Sequence, residues 1–276
     1  MLRASGSVLG RTLTVRTAPR RLLVPTVLAV VGLAVGWLAG HQGWPVGHQA
    51  RASAASPESP TYRVFPAPVK VDTSVGTNLV WRVQSSDKVV ALTFDDGPDP
   101  DGTPAVLRVL AAHHATATFF ELGEDAQANP QVVQQVLAAG DEVGVHGWSH
   151  TAMTHQDEPT IEADLDRAAG VLRDAGADVR LFRPPYGKID SLALGAAATR
   201  GWTVALWSDR FDENSDVDRL VQRLQPGAIV LCHDGRGHAN PALLDNLDAL
   251  LTALDQAGYQ YVTVSDLLAS SQSADQ

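Results

Sequence analysis

The sequence predicts an α/β protein in which about seven βα units favour a β/α barrel, with an open doubly wound sheet as the alternative. From Leu79 onward, short apolar runs alternate with segments of helical periodicity, as expected for parallel strands joined by helices. Polar residues of catalytic type follow directly after several of these runs, which is typical of strand ends in such barrels. A separate apolar run before this domain predicts an N-terminal transmembrane helix.

The N-terminal segment is the first predicted element. Residues 22–40 are nineteen consecutive uncharged, mostly apolar positions, and as a helix they would span roughly 30 Å, enough to cross a bilayer. Residues 1–21 carry five arginines and no acid, so the positive-inside rule predicts a basic cytoplasmic tail. We expect a retained single-pass anchor in the cell membrane with the catalytic domain outside. The alternative is a signal segment that is cleaved, which would give a secreted protein.

The anchor also bears on oligomeric state. Gly32, Gly36 and Gly40 have the small-xxx-small spacing typical of paired membrane helices, so we expect a monomer or a weak dimer through this face. Residues 41–78, rich in Pro, Ala, Ser and Gln, are interpreted as a flexible linker. The catalytic domain is predicted over 79–270, and 271–276 form a polar tail.

The catalytic domain itself is predicted from its alternating segments. Strands are expected at 79–83, 88–94, 116–121, 142–146, 180–183, 203–207, 227–232 and 260–264. Helices are expected near 103–113, 129–139, 160–175, 190–200, 216–224, 240–257 and 265–269. The repeating leucines between 243 and 254 mark the apolar stripe of one such helix.

Composition limits the classes of partner. About 200 residues follow the N-terminal segment, which is ample for one well-buried domain. The whole chain has a net charge of −10, and removing the five arginines of the first 21 residues leaves −15 downstream. So acidic a domain repels phosphate, which excludes nucleic acid as a partner. The single cysteine, Cys232, forms neither an internal disulfide nor a cysteine zinc cage.

The polar residues at the strand ends suggest a metal-dependent hydrolase. They are Asp95, Asp96, His146, Arg183, Asp209 and His233. Carboxyl ends of barrel strands meet at one rim, so we expect these side chains to converge. An aspartate with two histidines four apart, His146 and His150, suggests a mononuclear site for Zn²⁺ or another transition ion.

The remaining members of this group suggest acid–base catalysis. Adjacent residues on an extended segment point in different directions, so one of Asp95 and Asp96 is expected to bind the metal and the other to act as a general base. His233 is the natural general acid for expelling an amine. The other histidines are expected to have no role at the site: His41, His48, His113, His114, His155 and His238.

With these residues in place, the chain resembles the polysaccharide deacetylases of the fourth carbohydrate esterase family, from about Trp81 to Leu268. Five motifs occur in the family's order: TFDDG at 93–97, HGWSH at 146–150, RPPYG at 183–187, WSDRFD at 207–212 and LCH at 231–233. The resemblance implies a distorted β/α barrel.

By the same resemblance, the site residues acquire specific roles. Asp96, His146 and His150 would bind a divalent metal, zinc first and cobalt, nickel or manganese as alternatives. Asp95 would be the base, His233 the acid, Arg183 the residue that orients Asp95, and Asp209 a hydrogen-bond partner that tunes His233. The backbone N–H of Tyr186 would help to bind the oxyanion, and Leu231 would line the acetyl pocket.

Two departures from the family pattern affect expectations about activity. Gly147 stands where a serine or threonine usually follows the first histidine, and Glu213 stands where a tryptophan usually walls the acetyl pocket. Candidates to replace that tryptophan are Trp148, Trp202 and Trp207, and we expect Trp207 to line the substrate pocket. The expected activity is N-deacetylation of an extracellular polysaccharide, with peptidoglycan favoured over chitin by the membrane tether. The alternatives are an O-acetyl esterase acting on xylan or wall sugars, and a carbohydrate-binding protein without catalysis.

Overall fold

A computed structural model describes residues 78–274 of the chain. The predicted cytoplasmic tail, the predicted membrane helix at 22–40 and nearly all of the linker lie outside these residues. Of the helices within 78–274, none combines the length and the apolar character needed to cross a membrane.

The fold is a single run of parallel strands with helices between them. The strands are β1 (Asn78–Val80), β2 (Val89–Asp95), β3 (Ala117–Glu121), β4 (Glu142–Val145), β5 (Leu181–Phe182), β6 (Thr203–Ala205), β7 (Asp209–Arg210), β8 (Ala228–His233) and β9 (Gln260–Tyr261). The helices are α1 (Gly102–Ala112), α2 (Gly123–Ala128), α3 (Pro130–Ala138), α4 (Glu158–Asp174), α5 (Ser191–Thr199), α6 (Val217–Arg223), α7 (Pro241–Ala257) and α8 (Val264–Ala274), with a 3₁₀ turn at Pro185–Gly187.

The strand order fits the expected distorted barrel. The strands pair in the order β1-β6-β5-β4-β3-β2-β8-β7, with β9 added beside β2, and every pair of named strands is parallel. Within 78–274 no ladder joins β1 to β7, so the strands form an open half-barrel. The expected elements are present, and α2 and β7 are additions that the periodicity did not predict.

The sequence of β2 explains its central position. All seven residues of this strand, VVALTFD, are buried, as expected for a parallel strand covered on both faces. Its side chains alternate between two apolar clusters. Val90, Leu92 and Phe94 belong to the larger cluster, whereas Val89 and Ala91 belong to the smaller one, as the two-residue period of a strand requires.

Strand register sets the height of the polar residues. Asp95, the last residue of β2, is level with Phe120 of β3 and with His233 of β8. His146 and Arg183 directly follow β4 and β5. The carboxyl ends of five neighbouring strands therefore form one polar rim, which brings Asp95, His146, Arg183 and His233 to the same edge of the sheet.

Candidate active site

Asp96, His146 and His150 form a compact group at this rim. One side-chain ligand atom from each residue lies within 4.8 Å of the others. Oδ1 of Asp96 is 3.2 Å from Nε2 of His150 and 3.6 Å from Nε2 of His146. The backbone of Asp96 has a left-handed φ of 73°, which turns the chain away from β2 directly after Asp95.

The chemistry of this group fits a metal ion. Nδ1 of His146 donates to the carbonyl oxygen of Arg183 at 2.8 Å, so its Nε2 keeps the lone pair that a metal requires. Burial lowers the pKa of His146 to about 3 and also lowers the pKa of His150, so burial favours the neutral form of both rings. Within the described residues, the buried Oδ1 of Asp96 has no hydrogen-bond partner. Two imidazoles and a carboxylate are a donor set typical of Zn²⁺ and related ions.

Asp95 is held by a buried arginine beside this group. Its Oδ1 accepts a 2.7 Å hydrogen bond from Nη1 of Arg183, and its Oδ2 lies 3.7 Å from Nε2 of His146. Burial raises the pKa of Asp95, and the charge of Arg183 is the main opposing influence. The two aspartates therefore have different surroundings, one paired with a cation and the other with two imidazoles.

Arg183 is fully buried and its hydrogen bonds fix its orientation. Besides Asp95, the guanidinium donates to Oγ1 of Thr93 at 2.8 Å and to the carbonyls of Ala205 at 2.8 Å and Leu206 at 3.0 Å. The central guanidinium carbon, Cζ, lies 4.1 Å from the ring centroid of Phe120. The arginine thus ties the end of β2 to the end of β6, and this geometry agrees with the expectation that it orients Asp95.

His233 lies level with Asp95 on the neighbouring strand. Burial lowers the pKa of its imidazole, while the charges of Asp95 and Asp96 favour the protonated form. In the part of the chain that the structure describes, the ring makes no side-chain hydrogen bond, so it is free to act on a ligand.

The expected hydrogen bond from Asp209 to His233 is not formed among the described residues, and that expectation is corrected. The carboxylate of Asp209 instead accepts from Ser208 at 3.0 Å and from Nε of Arg223 at 3.2 Å. The reason is strand register, because β7 places Asp209 level with Val230, three residues before His233.

Tyr186, Leu231 and Trp207, the other residues expected at the site, differ in their exposure and contacts. The ring of Tyr186 is 55% exposed and meets the His150 ring edge-on at 4.3 Å. Leu231 is buried in β8, two residues before His233. Trp207 packs behind Arg183 at 5.6 Å and against Gly187, where an added Cβ would lie 2.6 Å from the indole.

The two residues that depart from the family pattern lie in different surroundings. Gly147 has a φ of 84°, a conformation that favours glycine. Its loop is braced by Asp164 of α4, whose Oδ1 accepts from the backbone N–H of Trp148 at 2.9 Å. Glu213 is exposed, in a turn where Asp212 accepts from Asn214 and Ser215.

Sequence reasoning missed three residues at the site. Glu121 ends β3 and Asp234 follows His233; both are buried, and three of their four carboxylate oxygens lack a hydrogen-bond partner in the described chain. An added Cβ on Gly97 would lie within 2.9 Å of both carboxylates, so the acids flank the segment after Asp96. Their strand-end positions were the available signal.

His238 is the third missed residue: no role at the site was expected for it, and the structure places it beside His233 and Asp96. Its ring lies 5.1 Å from the His233 ring, and its Nδ1 is 4.0 Å from Oδ2 of Asp96. No periodicity marks it, because it belongs to a loop that folds back over the rim.

Comparison with known proteins gives consistent matches. Residues 82–205 match the family described as polysaccharide deacetylase. A peptidoglycan-N-acetylglucosamine deacetylase of Bacillus cereus is 36% identical over 198 residues, covering 69% of this chain and 92% of that protein. A peptidoglycan-N-acetylmuramic acid deacetylase of Bacillus subtilis is 34% identical over 67% of this chain, which spans only 40% of that protein.

Similarity extends to solved structures. A crystal structure of a peptidoglycan N-acetylglucosamine deacetylase in complex with a substituted benzamide matches with a TM-score of 0.67 and 26% identity. The match covers 72% of this chain and 96% of that one.

Proposed function

The chain belongs to the polysaccharide deacetylase family of metal-dependent hydrolases, and on that basis we propose that it removes N-acetyl groups from cell-wall peptidoglycan. The observation that carries the proposal is the rim itself, where a carboxylate paired with Arg183 and the imidazole of His233 flank the Asp96–His146–His150 group. Both relatives described above act on peptidoglycan, which favours this glycan over chitin-like polymers.

The proposed chemistry divides acid and base work between two strands. Asp95, whose carboxylate form is favoured by the charge of Arg183, accepts a proton from the attacking water as that water adds to the acetyl carbonyl. His233 donates a proton to the sugar nitrogen as the C–N bond breaks, because an unprotonated amine is a very poor leaving group. The backbone N–H of Tyr186 donates to the oxygen that becomes negative.

Zinc is proposed as the resident ion, held by Asp96, His146 and His150. When bound, such an ion supplies Lewis-acid polarisation and lowers the pKa of water. Cobalt, nickel and manganese remain alternatives, since they accept the same nitrogen and oxygen ligands. Anchoring through residues 22–40, with this domain outside the membrane, is part of the same proposal.

Acetate release from defined substrates tests the function. The full chain would be loaded separately with Zn²⁺ and Co²⁺ and assayed on peptidoglycan, chitooligosaccharides and acetylated xylan, with Asp95→Asn as the blank. We expect release from peptidoglycan that the substitution abolishes while the metal content stays unchanged.

Other outcomes would redirect the proposal. Release from xylan alone would favour the O-acetyl esterase, for which His233→Ala should matter less than for an amide, because an ester has the better leaving group. Glycan binding without release, at a filled metal site, would favour a non-catalytic protein.

A further inference from the structure

We propose that Arg236 is a specificity-determining residue that selects glycans with a carboxylate near the acetamido group over uncharged glycans. The inference rests on the proposed function and deepens it. It concerns residues 235–238, the rim loop, which follows β8 and was not assigned a role by any motif.

The rim loop is built directly on the metal-binding segment. An added Cβ on Gly235 would lie 1.8 Å from the carbonyl oxygen of Asp96, so the two backbones are in close contact. The carbonyl of Gly235 accepts from the backbone N–H of His238 at 3.0 Å and from its Nδ1 at 2.7 Å. The loop is thereby closed into a tight turn with His238 as its anchor, and Arg236 stands at the turn.

Arg236 is held in an unfavourable backbone conformation. Its φ is 56°, a left-handed value at which a residue with a long side chain is uncommon and which concentrates at functional sites. The side chain is exposed and forms no ion pair with any residue of the described range. The turn therefore presents an unneutralised guanidinium to solvent.

The neighbours of Arg236 in the rim loop place it beside Asp96. Gly235 packs against the carbonyl of Asp96, and Nδ1 of His238 lies 4.0 Å from Oδ2 of the same residue, so Arg236 stands between two residues that approach the metal-binding group. Lys188 is a second cation near this group, because its Nζ is 5.6 Å from the ring centroid of Tyr186, whose ring meets that of His150 at 4.3 Å.

This pair of cations contrasts with the rest of the domain. Residues 78–274 contain thirteen Lys and Arg against twenty-eight Asp and Glu, so a neutral substrate would meet a mostly acidic surface. A guanidinium binds a carboxylate through two parallel hydrogen bonds. No acid within residues 78–274 forms an ion pair with Arg236, so its guanidinium is available to a substrate carboxylate.

The matching ligand is a glycan whose sugars carry acidic substituents. In peptidoglycan the carboxylate comes either from the lactyl group of the sugar or from the attached peptide, and both present the same chemistry to Arg236. Fragments with and without peptide distinguish the two sources.

The test compares matched substrates and matched variants of the metal-loaded full chain. Substrates would be peptidoglycan fragments with free carboxylates, the same fragments with their carboxylates converted to amides, and neutral chitooligosaccharides. The variant is Arg236→Gln, and Arg219→Gln, an exposed arginine of α6, is the control. Affinities would be measured alongside acetate release, so the inference is tested even without turnover.

We expect Arg236→Gln to raise KM and Kd for the acidic fragments by about tenfold, because roughly one charge-assisted pair is lost. KM and Kd for the amidated and neutral substrates should stay within about twofold of the wild-type values. Arg236→Lys should restore part of the preference for acidic fragments, because lysine keeps the positive charge but lacks the paired hydrogen-bond donors of the guanidinium. Equal losses on all substrates, or a wild-type protein that does not distinguish acid from amide, would overturn the inference. No acetate from any substrate, together with an intact preference in Kd, would instead reject the proposed function alone.

Discussion

Replacing Arg183 with methionine should destabilise the domain severely, because the guanidinium is fully buried and paired. The variant leaves the carboxylate of Asp95 buried without its cation and removes the donors to the carbonyls of Ala205 and Leu206. Breaking a buried ion pair by removing one partner costs about 3–5 kcal/mol, and unmet carbonyls push the loss toward the upper end. The total free energy of unfolding of a typical domain is only about 5–15 kcal/mol.

The same substitution should change the titration of the base. Burial raises the pKa of Asp95 and Arg183 is the main opposing influence, so weakening that contact raises the pKa further. The carboxylate form is then lost at a higher pH, and the acid limb of the pH profile of kcat/KM moves toward alkaline pH. Arg183→Lys, which keeps the charge but not the fork, is the variant in which to measure this profile.

The free energy of unfolding of the Arg183→Met variant is measured by urea titration, with tryptophan fluorescence as the signal. Arg180→Met is the control, since Arg180 pairs with Asp178 at 2.7 Å but both side chains are more than 70% exposed. Such a surface pair contributes at most about 1 kcal/mol. If the Arg183 and Arg180 variants lost similar stability, or if the acid limb did not move, our reasoning about the buried pair would be wrong.

Three further substitutions test other contacts. Burial and a neighbouring acid raise the pKa of Glu121, so ionisation of this side chain opposes folding as pH rises above the usual glutamate range. Glu121→Gln should therefore raise the melting temperature more at pH 8 than at pH 4.5. Equal shifts of the melting temperature at the two pH values would refute this. Two aspartates of α7 raise the pKa of His113, so its stabilisation is complete below the ordinary histidine pKa and is lost as pH rises through the higher folded value. His113→Gln should therefore lower the urea midpoint at pH 5.5 and have little effect at pH 8.5, whereas a pH-independent loss would count against it. Gly147→Ser crowds the loop between the two metal-binding histidines, because an added Cβ lies 3.2 Å from Oδ1 of Asp164. It should weaken metal binding in calorimetric titrations. The control is Gly140→Ser, which has a similar φ of 88° and open space around it and should lower stability by about 1 kcal/mol without changing metal affinity.

The strand ends could be predicted from the sequence because they depend on local patterns. Apolar runs bounded by polar residues indicate where a parallel strand stops, and this put Asp95, His146, Arg183 and His233 at one rim. The expected contact of Asp209 failed because a hydrogen bond depends on cross-strand register, and a two-residue strand such as β7 carries no register signal.

The missed residues depend on long-range contacts. Glu121 was counted as the last residue of an apolar strand, and only the folded chain brings it next to Asp234 across Gly97. His238 reaches the site because Gly235 permits close approach to the backbone of Asp96. Contacts between segments about 110 to 140 residues apart in the chain leave no periodic pattern from which they could be predicted.

The position of β2 has a consequence for the way this protein loses activity. The strand is buried along its whole length and hydrogen-bonded to β3, β8 and β9, so its amide protons should exchange with solvent only through global opening. Asp95 is the last residue of this strand, and Asp96 follows it directly. Thermal inactivation and cooperative unfolding should then share one midpoint, and residual activity after heating would directly measure the fraction of molecules still folded.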